Sequence, residues 1–325
     1  LVDAGVSAID LARIAAELND ALVRRVLALT EARLAEEGYG EPPVPYCWLA
    51  LGSEGRREQT LRTDQDNALV YVTDSLVPPW GAEVYFKRLA ERTVQGLVRC
   101  GVPPCPAGVM ASNPKWCQPV DVWREYFSRW VRESSVQDLL LASIFFDFRP
   151  VWGESRLAHQ LRRHLGEQIA SWRAFLRLLA WSAVYWVPPL GVFGRIVTPR
   201  WGPARGMIDL KPQGMLPLVG SVRVHALDLG LPHTNTLDRI REASAADGRL
   251  APGEVEELTA AYETITRLRL RSQLADLRAG RAPSGPMPLH ALNRADRAAL
   301  REAFAAIRRL QDDLRSRFMT DVLFG

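Results

Sequence analysis

Cysteine is scarce in this chain: Cys47, Cys100, Cys105 and Cys117 are the whole supply, and none has a His or Cys partner at zinc-site spacing. That argues against a disulfide-stapled secreted fold and against a zinc module, and predicts reduced thiols in a cytoplasmic protein. Cys105, between Pro104 and Pro106, is expected in a loop open to solvent, with no role assigned. Long apolar runs are also lacking. The longest charge-free stretch, Leu178 to Gly194, is interrupted by Pro188-Pro189 and falls short of the ~20 apolar residues that a membrane span needs. A buried helix followed by a proline-rich turn fits it better, so no membrane partner is expected. Lysine is nearly absent and the basic residues are almost all arginine. Lys plus Arg (41) exceeds Asp plus Glu (37) by only four. So small and dispersed an excess suits an anionic small substrate but gives no case for a nucleic-acid groove. There is no repeat and no low-complexity tract, and no signal peptide is read ahead of the first helix. The chain opens on Leu1 without a methionine, which reads as an excised piece or a processed product.

What is present is enough apolar residue, 47% of 325, for two domains with separate cores. Ile9 to Glu37 carries apolar positions at helical spacing (Leu11, Ile14, Leu18, Leu22, Val26, Leu29, Leu34), with Ser7 as N-cap and Gly38, Gly40 and Pro42-Pro43 as the stop. A strand from Tyr46 to Leu51, a turn and a second strand follow, then a helix over Ala82 to Cys100. Val122, Trp123, Tyr126, Phe127, Trp130 and Val131 form a helical apolar stripe, read as core. Leu139 to Val151 begins helical and ends as a buried strand. Beyond Glu154 the pattern is helical almost throughout: Leu157–Leu165, Ile169–Trp186, Leu216–Leu229, Leu237–Ala245, Val255–Arg278 and Arg294–Phe318, with loops at Pro188–Pro212 and Gly280–Pro288. The change of periodicity near residue 150 predicts an α+β fold: an N-terminal helix (1–40) packed on a mixed-sheet domain (41–153), then an all-α domain (154–325).

One string carries chemistry. The run from Leu49 through Gly52-Ser53-Glu54-Gly55-Arg56-Arg57-Glu58 to Thr63-Asp64-Gln65-Asp66-Asn67 joins a strand, a Gly-Ser turn and a second strand opened by two acids. On a strand, residues i and i+2 project from one face about 7 Å apart, so Asp64 and Asp66 can share divalent cations. The turn ahead of them exposes backbone N–H groups where a triphosphate can rest. A bare Gly-Ser or Asp-x-Asp is weak, but the ordered string is specific. Its bland counterpart, a polar hairpin over a core sheet, leaves the two adjacent acids unexplained.

This string resembles the signature of the DNA polymerase beta-like nucleotidyltransferase superfamily. Its wording is most similar to a bacterial group of nucleotidyltransferases related to the PII-protein uridylyltransferase. That group is often fused to CBS-pair or cyclic-nucleotide-binding domains, which become expected neighbours in the full-length protein. The stretch Asp209-Leu210-Lys211 and the helices after it resemble, more loosely, the helical region behind the uridylyltransferase catalytic domain, although the Gly-Leu-Arg-Asp element of those enzymes is missing after Lys211. None of His159, His164, His225, His233 and His290 is followed by Asp, so the uridylyl-removing half has no counterpart here.

The resemblance implies a polymerase beta-like catalytic domain with Asp64 and Asp66 as ligands of Mg²⁺ (or Mn²⁺), and Gly52, Ser53, Gly55 and Arg56 around the phosphates of an NTP. Lys211 is the candidate that reaches the triphosphate from the helical domain. Superfamily members take a third carboxylate from a later strand, and Asp147, an acid in an apolar run, is the candidate; an ion pair with Arg149 is its structural alternative. Ser53 is also readable as N-cap of a short helix Glu54–Glu58, Thr63 as orienting Asp64, and Glu58 as bridging to a neighbouring arginine. Gln65 and Asn67 favour the competing picture of a hydrated turn, and Asp74 is too far along the strand to share a metal. The expected activity is transfer of UMP or AMP from an NTP to a hydroxyl of a protein or small molecule in regulatory signalling, without the removing activity. The alternative is a nucleotide-sensing module without turnover.

Overall fold

The computed structural model describes residues 6–61, 64–76, 78–283 and 285–322; nothing is said of the side chains of Pro79, Trp80 and Val322. These residues form two compact units. Residues 13–59 and 64–172 make the sheet unit, and residues 6–12, 60–61 and 173–322 the helical unit. The chain passes from one to the other between Trp172 and Arg173, so helix α6 (Ser155–Ser171) belongs with the sheet. The sequence boundary at 153/154 was drawn where strand-like patterning ends, and patterning does not reveal that α6 packs on the sheet.

In the sheet unit, strands β1 (Tyr46–Ala50), β2 (Asn67–Tyr71), β3 (Cys117–Pro119) and β4 (Arg149–Gly153) are ordered β3-β2-β1-β4. β1 runs antiparallel to β2 and β4, and β2 runs parallel to β3, giving a mixed sheet. Every residue of β1 and β2 is buried, which explains why both read as unbroken apolar runs rather than as alternation. Tyr46, Trp48, Ala50, Leu69 and Tyr71 share a core with helix α1 (Ala8–Glu36; Val23, Leu27, Leu34) and helix α3 (Pro79–Arg99; Phe86, Leu89, Val94). Helix α4 (Val120–Glu133) packs against β2 and β3, and helix α6 against β1, β2 and β4; Trp123 of α4 donates its indole N–H to the carbonyl of Leu69 at 3.1 Å. Most of the stripe read as core is core: Trp123, Phe127, Trp130 and Val131 are buried, Val122 and Tyr126 half-buried, and the rings of Trp123, Phe127 and Trp130 meet those of Trp116, Phe146 and Phe145.

Helix α1 begins as expected, with the Ser7 hydroxyl accepting from the N–H of Ile9, but its buried stripe differs. Val26 and Leu34 are buried as expected and Leu22 packs on the same core, but Ile14, Leu18 and Leu29 are exposed, while Ala12, Ala16, Val23 and Leu27 face inward. Small alanines permit close approach there, and a reading weighted to bulky residues misses them. The run Leu139–Val151 is helix α5 (Val136–Phe145) followed by β4, as expected. The helical unit holds helices α7 (Ala174–Tyr185), α8 (Leu216–Asp228), α9 (Thr236–Asp247), α10 (Pro252–Arg278) and α11 (Arg294–Phe318). It is not purely helical. Strands β5 (Met207–Asp209) and β6 (Pro286–Pro288), both inside segments read as loops, pair antiparallel, with Ile208 and Met287 in the helical core. Among the described residues no helix is long and apolar enough to cross a membrane.

Candidate active site

The chain between β1 and β2 makes the site. Gly52 takes φ +54°, in the left-handed region that a side chain disfavours, and opens the single-turn helix α2 (Gly52–Gly55). Leu51 stands at the N-cap position and Ser53 lies inside the turn, so Ser53 is not the cap expected from sequence. Ser53 remains partly exposed beside the first-turn N–H groups, which have no intrahelical acceptor. Gly55 is buried under backbone: a Cβ there would lie 1.7 Å from the carbonyl oxygen of Asp147 and 2.9 Å from that of Ala50. Its absent side chain lets α2 sit on the chain entering β4, a packing role rather than a phosphate contact.

Asp64 and Asp66 lie just ahead of β2, not on it. Their segment is nevertheless held as an extended strand would be. The carbonyl of Asp66 accepts from the N–H of Leu51 at 2.9 Å, and the N–H of Gln65 donates to the carbonyl of Pro103 at 3.0 Å. Gln65 and Asn67 are buried, while Asp64 and Asp66 between and beside them are half-buried. The Gln65 amide donates to the carbonyls of Val94 (3.3 Å) and Val102 (3.0 Å), and the Asn67 amide oxygen accepts from the N–H of Ala111 at 2.8 Å. The two amides are therefore anchors, not signs of a hydrated turn. They turn one side of the segment inward and leave the two acids on the other. Thr63 lies outside the described residues.

Asp66 reaches back to the Gly-Ser turn. A Cβ built on Gly52 would come within 3.2 Å of its Oδ2. Two further groups surround it. Cys105 is buried rather than open to solvent; burial raises its thiol pKa, opposed by a backbone hydrogen bond from Val109 and reinforced by the charge of Asp66 and a hydrogen bond to it. Glu54 is buried and accepts a hydrogen bond from the Asn19 amide at 2.7 Å. Desolvation pushes its pKa up to about 8, opposed by Arg149 and reinforced by the charges of Asp20 and Asp66.

Arg56 and Asp147 meet one another. The Arg56 guanidinium, 8% exposed, binds Asp147 Oδ2 and Glu58 Oε2, each at 2.8 Å. Burial would lower the pKa of Arg56, but the two carboxylates outweigh it and hold the group charged. The structure thus replaces the expected Asp147–Arg149 pair: Arg149 makes a two-pronged contact with buried Asp20 instead, at 2.6 and 2.8 Å. Spacing on one strand suggested the pair, yet Asp147 precedes β4 and turns toward the helix that Arg56 follows. Arg57 is exposed and pairs with Glu17 at 3.0 Å. Lys211 stands exposed in the helical unit, opening a π-helical turn (Lys211–Met215), with its N–H donating to Asp209 at 3.0 Å. Asp74 lies beyond the far end of β2, its carboxylate accepting from the N–H of Leu76.

No group of three or more His, Cys, Asp or Glu side chains able to hold a metal occurs among the described residues. Two carboxylates suit Mg²⁺ all the same, because that ion is held by one or two protein carboxylates with waters and substrate phosphates rather than by an all-protein cage. Ser53, Asp64 and Asp66 are the partly exposed groups of this turn, and so the ones that a ligand can reach.

Comparison with known families agrees with this geometry. Residues 1–137 match the family described as "Putative nucleotidyltransferase DUF294", and residues 173–318 match its companion, "Putative nucleotidyltransferase substrate binding domain". The chain belongs to this nucleotidyltransferase family. It is also 34% identical over 93 residues to the bifunctional glutamine synthetase adenylyltransferase/adenylyl-removing enzyme of Caulobacter vibrioides, a match covering 27% of this chain and 9% of that protein. The second family match starts at Arg173, the same residue at which the chain passes for the last time into the helical unit.

Proposed function

We propose that the chain is a Mg²⁺-dependent (or Mn²⁺-dependent) nucleotidyltransferase that moves UMP or AMP from an NTP to a hydroxyl of a protein or small-molecule acceptor. The nearness of Asp66 to the Gly-Ser turn, its Oδ2 within 3.2 Å of where a Gly52 side chain would begin, supports the reading, because an acid then stands beside N–H groups able to take phosphate. Asp64 and Asp66 would hold the ion, which supplies charge neutralisation on the phosphates and a lowered pKa for the attacking hydroxyl. Gly52 lets Asp66 come close to the turn, and Ser53 Oγ with the first-turn N–H groups donates to phosphate oxygens. The acceptor oxygen attacks the α-phosphorus, the bond to the pyrophosphate oxygen breaks, and the hydroxyl proton passes to solvent as pyrophosphate leaves. The adenylyltransferase match supports AMP as well as UMP, and the lack of a His-Asp pair supports transfer without removal.

A second reading, a nucleotide sensor without turnover, is favoured by one observation. Asp147 is wholly buried against Arg56, which leaves two acids rather than three at the turn. Calorimetry of NTP binding with and without EDTA tests the site itself: binding should be lost with EDTA, and equal affinity in both would refute both readings. Incubation with each labelled NTP and Mg²⁺ in host lysate then separates them, since only a transferase leaves a labelled acceptor.

A further inference from the structure

From Gln168 to Ile208 the chain carries no Asp or Glu. Within that stretch two consecutive loops project from the helical unit. The first is closed by the N–H of Val197 on the carbonyl of Pro189 and the N–H of Gly191 on that of Arg195, both at 2.8 Å. The second is closed by the N–H of Gly206 on the carbonyl of Pro199 at 3.0 Å. Both loops are tied down at the base. The Arg308 guanidinium donates to the carbonyls of Pro188 and Leu190, Leu190 and Ile196 pack on the helical core, and the N–H of Leu289 donates to Gly206 at 2.9 Å. Their tips are apolar and bare. Val192 is 76% exposed, Phe193 94% and Trp201 84%. Phe193 holds φ +60°, a conformation costly for a bulky residue and one that turns its ring outward here. Arg195, Arg200 and Arg205 are exposed beside these tips and make no ion pair among the described residues, whereas Arg173, Arg241, Arg267 and Arg309 elsewhere in this unit are paired.

We infer that these loops are the docking surface for the acceptor, and that the acceptor is a protein presenting carboxylates among aromatic or apolar side chains. This rests on the transferase reading above. A held loop with an aromatic at its tip suits an apolar contact, since the ordering entropy has already been removed before binding. Three unpaired arginines and no carboxylate in the segment call for an anionic rim. Aromatic anchors ringed by arginine are the residues that dominate protein–protein binding energy, and the unit that bears them matches a family described as substrate binding. A small-molecule acceptor would need an enclosed polar pocket, which two projecting tips do not make.

The test uses the whole chain and a fluorescein-labelled Glu-Tyr copolymer, which combines carboxylates, rings and hydroxyls, with a dT20 oligonucleotide and phosphatidylglycerol-containing vesicles as competitors. The variants are Phe193→Asn (asparagine tolerates the left-handed backbone), Trp201→Ser, and the combined Arg195→Glu, Arg200→Glu and Arg205→Glu. The copolymer should bind wild type, weaken at least about tenfold in each variant as expected for anchor residues, and resist displacement by either competitor. Binding that ignores the loop changes, no binding to wild type, or preference for the oligonucleotide or the vesicles would overturn the inference. In the labelled-NTP experiment, label should appear in acid-precipitable protein and vanish in the loop variants; label in acid-soluble product alone would also overturn it. Mg–NTP binding by each variant is measured alongside. Its absence in wild type with copolymer docking intact refutes only the transfer reading, and its presence with loop-independent docking refutes only the docking surface.

Discussion

Asp64 and Asp66 sit on one side of a short extended segment, and without a cation between them their charges repel. Each change to asparagine removes an ionised ligand and should therefore abolish transfer and metal-dependent NTP binding. If the carboxylates served only as hydrogen-bonded structural groups, each variant would instead lose roughly 1–3 kcal/mol and keep its NTP binding. Melts in EDTA beside an NTP-binding assay decide, and lowered stability with binding unchanged would defeat the assignment. Glu54 supplies a second residue-level test. Its folded-state pKa of about 8 exceeds the ordinary value of 4.5. An acid raised in this way is neutral in both folded and unfolded chains below pH 4.5. Between there and about pH 8 only the unfolded chain ionises, so stability falls as pH rises. Glu54→Gln keeps an oxygen for the Asn19 amide and has nothing to ionise. It should match wild type in urea melts at pH 4.5 and be the more stable at pH 8, and an equal difference at both pH values would count against burial as the cause.

Helix α2 is one turn long and gains little from helix propensity, so packing must hold it. Gly55→Ala tests that. The added methyl would sit inside van der Waals contact with the Asp147 and Ala50 carbonyls. Both acceptors are backbone and cannot rotate away, so a loss of ~3 kcal/mol or more, at or above the usual overpacking range, is expected in chemical denaturation. A neutral change would mean that α2 is free to shift. Elements like these show what was legible in the sequence. The strands, the helices and the Asp-x-Asp segment are fixed by apolar periodicity and a dense local string, and both can be read from neighbours in the chain. Glu58 is legible as a partner of Arg56 two residues away, but Asp147 and Asp20 are not, because they meet Arg56 and Arg149 through the fold and not through spacing. Gln65 and Asn67 were open to a better reading. Polar residues alternating with two acids ahead of a buried strand are the ones that must turn inward and find backbone partners. The β5–β6 ladder was hidden for another reason: Pro286 and Pro288 in β6 look like loop punctuation, and such residues are tolerated only at an edge.

Each of the two units carries its own buried cluster, one built on the sheet with α1 and α3, the other on α8 to α11. Separate cores predict separate cooperative transitions, with ligand linkage acting only on the unit that holds the site. Asp64, Asp66, Gly52 and Ser53 are all in the sheet unit, so Mg–NTP should stabilise that unit alone. At a ligand concentration of 100 times Kd the gain is about 2.7 kcal/mol, which for a unit of this size raises its midpoint by about 5–10 °C. The helical unit has its own marker. His225 is buried near Asp313, and desolvation takes its pKa down to about 4, with Asp313 opposing and Arg249 assisting. A histidine lowered in this way gives full stability above pH 6.5 and loses it as pH falls toward 4, because the unfolded chain binds the proton first. Scanning calorimetry should therefore show two steps. Mg–NTP should move one of them, and acidification from pH 6.5 to pH 4 should lower the other, less so in His225→Gln. Asp66→Asn should cancel the nucleotide shift and leave the acid shift untouched. A single transition that Mg–NTP raises as a whole would show that the two cores unfold together and would refute the division of labour drawn here.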